Sequence, residues 1–163
     1  MQFIHIPKTA GTSIRHRLGI GFSHKRQSDI EGNSFFTCVR NPYDRLISMY
    51  AYSRENNKTL PQESSSKVGE WFNEQIEKPS MINHDISLIE PMSKFITDLT
   101  QVTLLRFESL AEDFKKLYDA ELSIINFSRR GHYLNYYDNE LKEMVLDYYQ
   151  DDFDMFGYSK ELQ

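Results

Sequence analysis

Phe3-Ile4-His5-Ile6-Pro7-Lys8-Thr9-Ala10-Gly11-Thr12-Ser13-Ile14 is the stretch that decides the fold. Phe3 to Ile6 form a short, mostly apolar run that Pro7 ends, which reads as a buried strand. Lys8 to Gly11 read as a loop. Thr12 or Ser13 is placed to cap a helix running through Ile14 and Leu18 and ending near Gly19 or Gly21. Strand, short loop and helix together make the geometry in which backbone N–H groups and a helix N-terminus converge on an anion. The helix terminus alone contributes about 0.3–1 kcal/mol at an exposed site. Lys8 must therefore supply much of the attraction, helped by the hydroxyls of Thr9, Thr12 and Ser13. Gly11 lets the backbone approach an anion closely or take a positive φ. The plainer alternative is a capped turn with a solvated lysine.

Outward from there, Phe35-Phe36-Thr37-Cys38-Val39 reads as a second buried strand, closed by Arg40-Asn41-Pro42. Pro42 suits the first turn of the next helix, where a missing N–H does no harm. That helix puts Leu46, Ile47, Met49 and Tyr50 on its packed side. In nucleotide triphosphatases a later strand commonly ends in an Asp that holds Mg²⁺. Here the strand ends in Arg40, a permanent fork-shaped cation suited to phosphate and not to a metal. Ser48 lies about two helical turns further on and offers a hydroxyl to the same oxygens. Two anion cradles with no evident metal ligand fit a nucleotide whose charged groups sit at opposite ends of one ribose.

The remaining chain supports an α/β reading. Residues 22–34 and 55–67 are polar and read as loop, and 67–77 as a helix packing through Val68, Trp71, Phe72 and Ile76. Val102 to Phe107 are a third strand candidate, Leu110 to Leu122 a helix, 124–137 a loop-rich stretch, and Asn139 to Phe153 a last helix. Strands alternating with helices argue for a parallel sheet with helices on both faces. The 163 residues suggest one domain over 1–163. Cys38 is the only cysteine, which excludes an intramolecular disulfide and reads as packing, and no Cys/His cluster has zinc spacing. Residues 1–50 carry seven basic and three acidic side chains, whereas 108–163 carry six and thirteen. A cationic first third points to a local anionic ligand, and binding of nucleic acid by the whole chain is disfavoured. No apolar run approaches the roughly 18 residues of a membrane span. With no export signal before the first strand, the expected location is the cytoplasm. The Asn57-Lys58-Thr59 and Asn126-Phe127-Ser128 acceptor patterns then carry no meaning.

The first stretch resembles the 5′-phosphosulfate-binding loop of the carbohydrate-type sulfotransferases (the Golgi heparan/chondroitin-type family), whose donor is 3′-phosphoadenosine 5′-phosphosulfate, PAPS. Val39-Arg40-Asn41-Pro42-Tyr43-Asp44-Arg45-Leu46-Ile47-Ser48-Met49-Tyr50 resembles their 3′-phosphate-binding segment. Weaker echoes are Leu105-Arg106-Phe107-Glu108-Ser109-Leu110 and Asp151-Asp152-Phe153-Asp154-Met155-Phe156-Gly157-Tyr158. The resemblance implies a P-loop-like three-layer α/β fold with a central parallel sheet flanked by helices. It also implies PAPS as co-substrate, PAP as product, no metal, and an acceptor that is a carbohydrate hydroxyl. Lys8, Thr9, Ala10, Gly11, Thr12 and Ser13 would hold the phosphosulfate, and Arg40 and Ser48 the 3′-phosphate. Arg129-Arg130-Gly131 is similar to an Arg-Lys-Gly segment that closes over that phosphate in cytosolic relatives; the alternative is a solvated basic turn. Arg45 reads as structural or as pairing with Asp44.

Sulfuryl transfer is an in-line displacement that calls for positioning, charge stabilisation and a general base. Lys8 would stabilise charge on the leaving oxygen. His24, in the loop after the first helix, and His84, in Ile82-Asn83-His84-Asp85, are the base candidates, with Glu31 as an acidic option. Related glycosaminoglycan-modifying enzymes resemble this chain in carrying a histidine base near the position of His24. His5 reads as packed within its strand, His16 as solvated between Arg15 and Arg17, and His132 as adjoining the basic turn. The competing functions are a nucleotide kinase or triphosphatase with a divergent phosphate loop, and a non-catalytic nucleotide-binding module.

Overall fold

The computed structural model describes residues 1–54, 64–123, 125 and 130–163. The polar excursion expected after residue 54, both glycosylation patterns and Arg129 fall wholly or largely outside the described residues. The chain divides into two compact units, residues 1–40 with 92–127, and residues 41–91 with 128–163.

The first unit holds a three-stranded parallel sheet in the order β1 (Gln2–Ile4), β2 (Phe35–Val39), β3 (Val102–Arg106). Phe3 pairs with Phe36, and Phe36 with Thr103. All five residues of β2 are buried, as a central parallel strand requires. Phe36 and Cys38 share one face and pack with Ile14 of α1 (Gly11–Leu18) and Phe114 of α4 (Leu110–Tyr118). Burial pushes the Cys38 thiol far up, which fits the packing role read for it. Asp113 accepts hydrogen bonds from the Arg106 N–H at 3.0 Å and the Ser109 hydroxyl at 2.8 Å, tying the end of β3 to the start of α4.

Two expectations for this unit shift. Helix α1 begins at Gly11, earlier than the Thr12 or Ser13 cap expected, because Ala10 turns the chain with φ 62°. It ends where expected, at Gly19 with φ 67°. Helix α4 stops at Tyr118 instead of reaching Leu122, since Asp119 adopts φ 49°.

The second unit is helical: α2 (Pro42–Ser53), α3 (Ser65–Glu77), α5 (Asn139–Tyr148) and α6 (Gln150–Phe156). Pro42 opens α2 and the Asn41 side chain accepts from the Tyr43 N–H at 3.0 Å. Leu46, Ile47, Met49 and Tyr50 are buried together with Val68, Phe72, Leu141, Val145 and Phe153. Ile76 is exposed, contrary to expectation: the buried stripe of α3 runs through Val68, Phe72 and Gln75, one residue off its position. The single helix expected over 139–153 is two. The break falls at Tyr149, which is buried and donates its phenol to the Ile89 carbonyl at 2.8 Å. Similar ties run from the Tyr43 hydroxyl to the Lys160 carbonyl at 2.7 Å and from Tyr137 to the Tyr43 carbonyl at 2.9 Å. No helix among the described residues is long and apolar enough to cross a membrane.

Candidate functional site

The loop from Ile6 to α1 is folded on itself. Thr9 is fully buried and donates its hydroxyl to the Ile6 carbonyl at 2.9 Å. Lys8 and Ala10 both lie in the left-handed region, at φ 64° and 62°. Such conformations cost about 1–3 kcal/mol each for non-glycine residues and persist where the surroundings enforce them. An anion nest is built from residues that alternate between right- and left-handed conformations, and Lys8 and Ala10 supply two left-handed positions. Gly11 itself has no positive φ, so its reason lies elsewhere. A Cβ there would sit 1.9 Å from Cδ2 and Nε2 of His5. The glycine makes room for an imidazole at the start of the helix.

Of the loop hydroxyls, two serve the fold. Besides Thr9, the Ser13 hydroxyl accepts from the Ile125 N–H at 2.9 Å and lies 3.3 Å from the Ile125 carbonyl. Both hydroxyls thus close the loop, and the sequence pattern does not distinguish a hydroxyl facing a ligand from one closing a loop. Thr12 is partly buried and has no such tie among the described residues.

Arg40, 7% exposed, ends β2 and donates to the Lys8 carbonyl at 3.1 Å. Its guanidinium lies 3.8 Å from the centre of the Phe107 ring, a cation–π contact that holds the fork flat. Strand β3 supplies Phe107 just past its end, so neighbouring parallel strands bring Lys8, Arg40 and Phe107 to one edge. The role of Phe107 was not foreseen. The only signal was its place in the Leu105–Leu110 echo.

His24 packs against His5, three residues before Lys8. It is partly buried, and its Nδ1 lies 2.8 Å from the His5 carbonyl. A carbonyl only accepts, so Nδ1 carries the proton and Nε2 is left as the acceptor. The His5 and His24 rings are 4.1 Å apart, and Phe22 stands edge-on to both, at 5.5 and 4.9 Å. Burial holds the His24 pKa below the ordinary imidazole value. His5 falls further, to about 3, through burial first and then through His24 and Arg15. Sequence reading placed His5 correctly as packed, although β1 ends one residue before it at Ile4, and gave no sign of this pairing.

The other candidates belong to the second unit. Ser48 is buried on α2. His84 has a side chain 91% exposed and an ion pair with Asp85 at 3.6 Å. Arg130 is paired with the Asp44 carboxylate and donates to the carbonyl beside it, Gly131, at 3.2 Å, while Gly131 is exposed. Asp44 thus has a partner from far along the chain, Arg130. Arg45 is buried and donates to the Glu90 carbonyl at 2.9 Å, with the Tyr149 ring 6.0 Å away. His16, Glu31 and His132 are exposed.

Residues 34–151 match the family described as the sulfotransferase domain. The match takes in Arg40, Ser48, His84, Arg130 and Gly131, while the Lys8 loop and His24 lie before it. No curated protein and no solved structure matches the chain.

Proposed function

The chain belongs to the sulfotransferase domain family, and from that premise we propose that it moves the sulfuryl group of PAPS to an acceptor hydroxyl of a carbohydrate, with His24 as general base. We take residues 1–163 to act as one such domain.

The observation that carries this reading is the bond from the Arg40 guanidinium to the Lys8 carbonyl. It ties the two anion-binding segments into one edge of the sheet, in the same unit as His24. The residues suit such a donor on three counts. The loop has two left-handed residues of the kind an anion nest uses, its helix starts on a glycine, and the strand-end cation is fixed by an aromatic face. PAPS supplies an activated sulfuryl group on an oxygen whose developing charge needs neutralising. Lys8 and the loop amides would meet that charge, and Arg40 with Ser48 would hold the 3′-phosphate. Arg129, Arg130 and Gly131 are proposed to border it. His24, with Nε2 as acceptor, would take the proton of the acceptor hydroxyl, a contribution of about 10²–10⁴-fold. His84 is the second base candidate, and its exposure and tie to Asp85 favour it less.

Binding and transfer test the proposal. PAP should raise the melting temperature and Mg²⁺-ATP should not; the reverse pattern would mark a nucleotide kinase or triphosphatase. Labelled sulfate from PAPS should reach an oligosaccharide in an acceptor panel, and His24→Ala should abolish that transfer while His84→Ala keeps it. Binding of PAP without transfer to any acceptor would mark a non-catalytic module.

A further inference from the structure

Residue 5 touches residue 24 twice. The His5 carbonyl fixes the His24 Nδ1 proton, and the His5 ring covers one side of the His24 ring, with centroids 4.1 Å apart and planes inclined by 33°. Phe22 closes a second side edge-on. A main-chain acceptor alone would set the tautomer and still let the ring swing about that bond. The imidazole and the phenyl edge remove that freedom.

Placing an imidazole here carries two local costs. Its Nδ1 is buried with no partner in good hydrogen-bond geometry among the described residues, in a residue only 6% exposed. It also demands a glycine at position 11, since a Cβ would meet the ring at 1.9 Å. A buried polar atom left without a partner costs free energy that an apolar side chain would not. An apolar strand residue at position 5 would have avoided both.

We propose that His5 is a positioning residue: seated in the space left by Gly11, it clamps His24 in one orientation, with the proton on Nδ1, and screens that ring from water. The proposal rests on the reading of His24 as the base. It assigns to Gly11 a duty towards an imidazole, separate from any duty towards the donor.

The charged and titratable groups described around the pair are few. Arg15 of α1 lies over the Phe22 ring at 5.3 Å and disfavours a proton on His5. Each imidazole lies against the other. Among main-chain groups, the His5 carbonyl favours the charged form of His24, and Ser23 acts the same way on His5. Burial opposes charge on both rings. Losing the His5 ring admits water to His24, so its pKa should rise and a larger fraction should be protonated at neutral pH.

Nitrogen-detected NMR titration of the intact protein, with and without PAP, tests this without reference to any acceptor. In the unaltered protein, His24 should show the Nδ1–H tautomer and titrate below the ordinary imidazole value of 6.5, while His5 stays neutral to at least pH 4. His5→Ala should move the His24 midpoint up by half a unit or more. His5→Phe, which keeps a ring in place, should leave the midpoint nearly unchanged. Gly11→Ala should mimic His5→Ala. An Nε2–H tautomer, an ordinary midpoint in the unaltered protein, or equal midpoints in His5→Ala and the unaltered protein would overturn the proposal. The first two outcomes need no variant, so a variant that fails to fold does not shield it. Normal transfer by His24→Ala, with these NMR results as expected, would instead overturn His24 as the base and leave the clamp standing.

Discussion

Arg40 and Arg45 lie five residues apart and both are buried, yet they stand in different kinds of structure. Arg45, in the second unit, is part of a set of internal ties. It bonds the Glu90 carbonyl, as the Tyr149 phenol beside it bonds Ile89. Arg40, in the first unit, sits on Phe107 and bonds the carbonyl of a lysine in a left-handed conformation. Around it, the loop before α1 holds two left-handed non-glycine residues, Lys8 and Ala10, beside the buried His5 imidazole. The second unit uses its phenols and Arg130 to join distant pieces of its own chain. Local cost concentrated at one strand edge is what a binding site requires, whereas ties between elements are what a scaffold requires.

Breaking the two halves of this contrast should give different signatures. The largest effect belongs to Lys8→Ala. Turnover should fall by about 10²–10³-fold, the scale of losing one preorganised donor to developing charge, while PAP affinity falls by less than roughly tenfold because the product lacks that charge. Steady-state rates alongside PAP titration check this, and equal losses in both would make Lys8 a plain binding residue. On the scaffold side, Arg45→Ala should destabilise the protein by about 3–5 kcal/mol, combining a cavity with an orphaned carbonyl. Urea unfolding measures it, and a loss below about 1 kcal/mol would mean Arg45 is no scaffold residue.

A smaller effect sharpens the contrast through pH. The His5 pKa falls from 6.5 to about 3 on folding, so below pH 6.5 the unfolded chain binds a proton that the native state refuses. Stability should therefore be complete above that pH and fall by on the order of 1 kcal/mol per unit as pH drops towards 3. His5→Phe should remove this share of the slope. An unchanged slope would mean the ring is not held neutral.

The elements were legible because their signals are local. The five-residue apolar run of β2, Pro42 at the start of α2, and Gly19 after α1 all act where they stand. What escaped the sequence depends on partners far along the chain. Tyr149 splits a helix because it reaches Ile89, and Arg45 donates to the Glu90 carbonyl, 45 residues away. In the site, Lys8 and Arg40 were visible as strand-end cations, but Phe107 under Arg40 comes from a third strand. For Gly11 the sequence showed only part of the reason. Its pattern is that of a phosphate loop, while its missing Cβ accommodates His5, a residue whose place in an apolar run suggests packing alone.

Calorimetric titration of PAP into the unaltered protein and into Arg40→Ala tests the central claim most directly, that Lys8 and Arg40 form one donor-binding edge. Saturable one-site binding, weakened in Arg40→Ala by about 1.5–3 kcal/mol, the scale of a charge-assisted hydrogen bond, is the predicted result. Equal PAP affinity in the two proteins, with Arg40→Ala still folded, would contradict it.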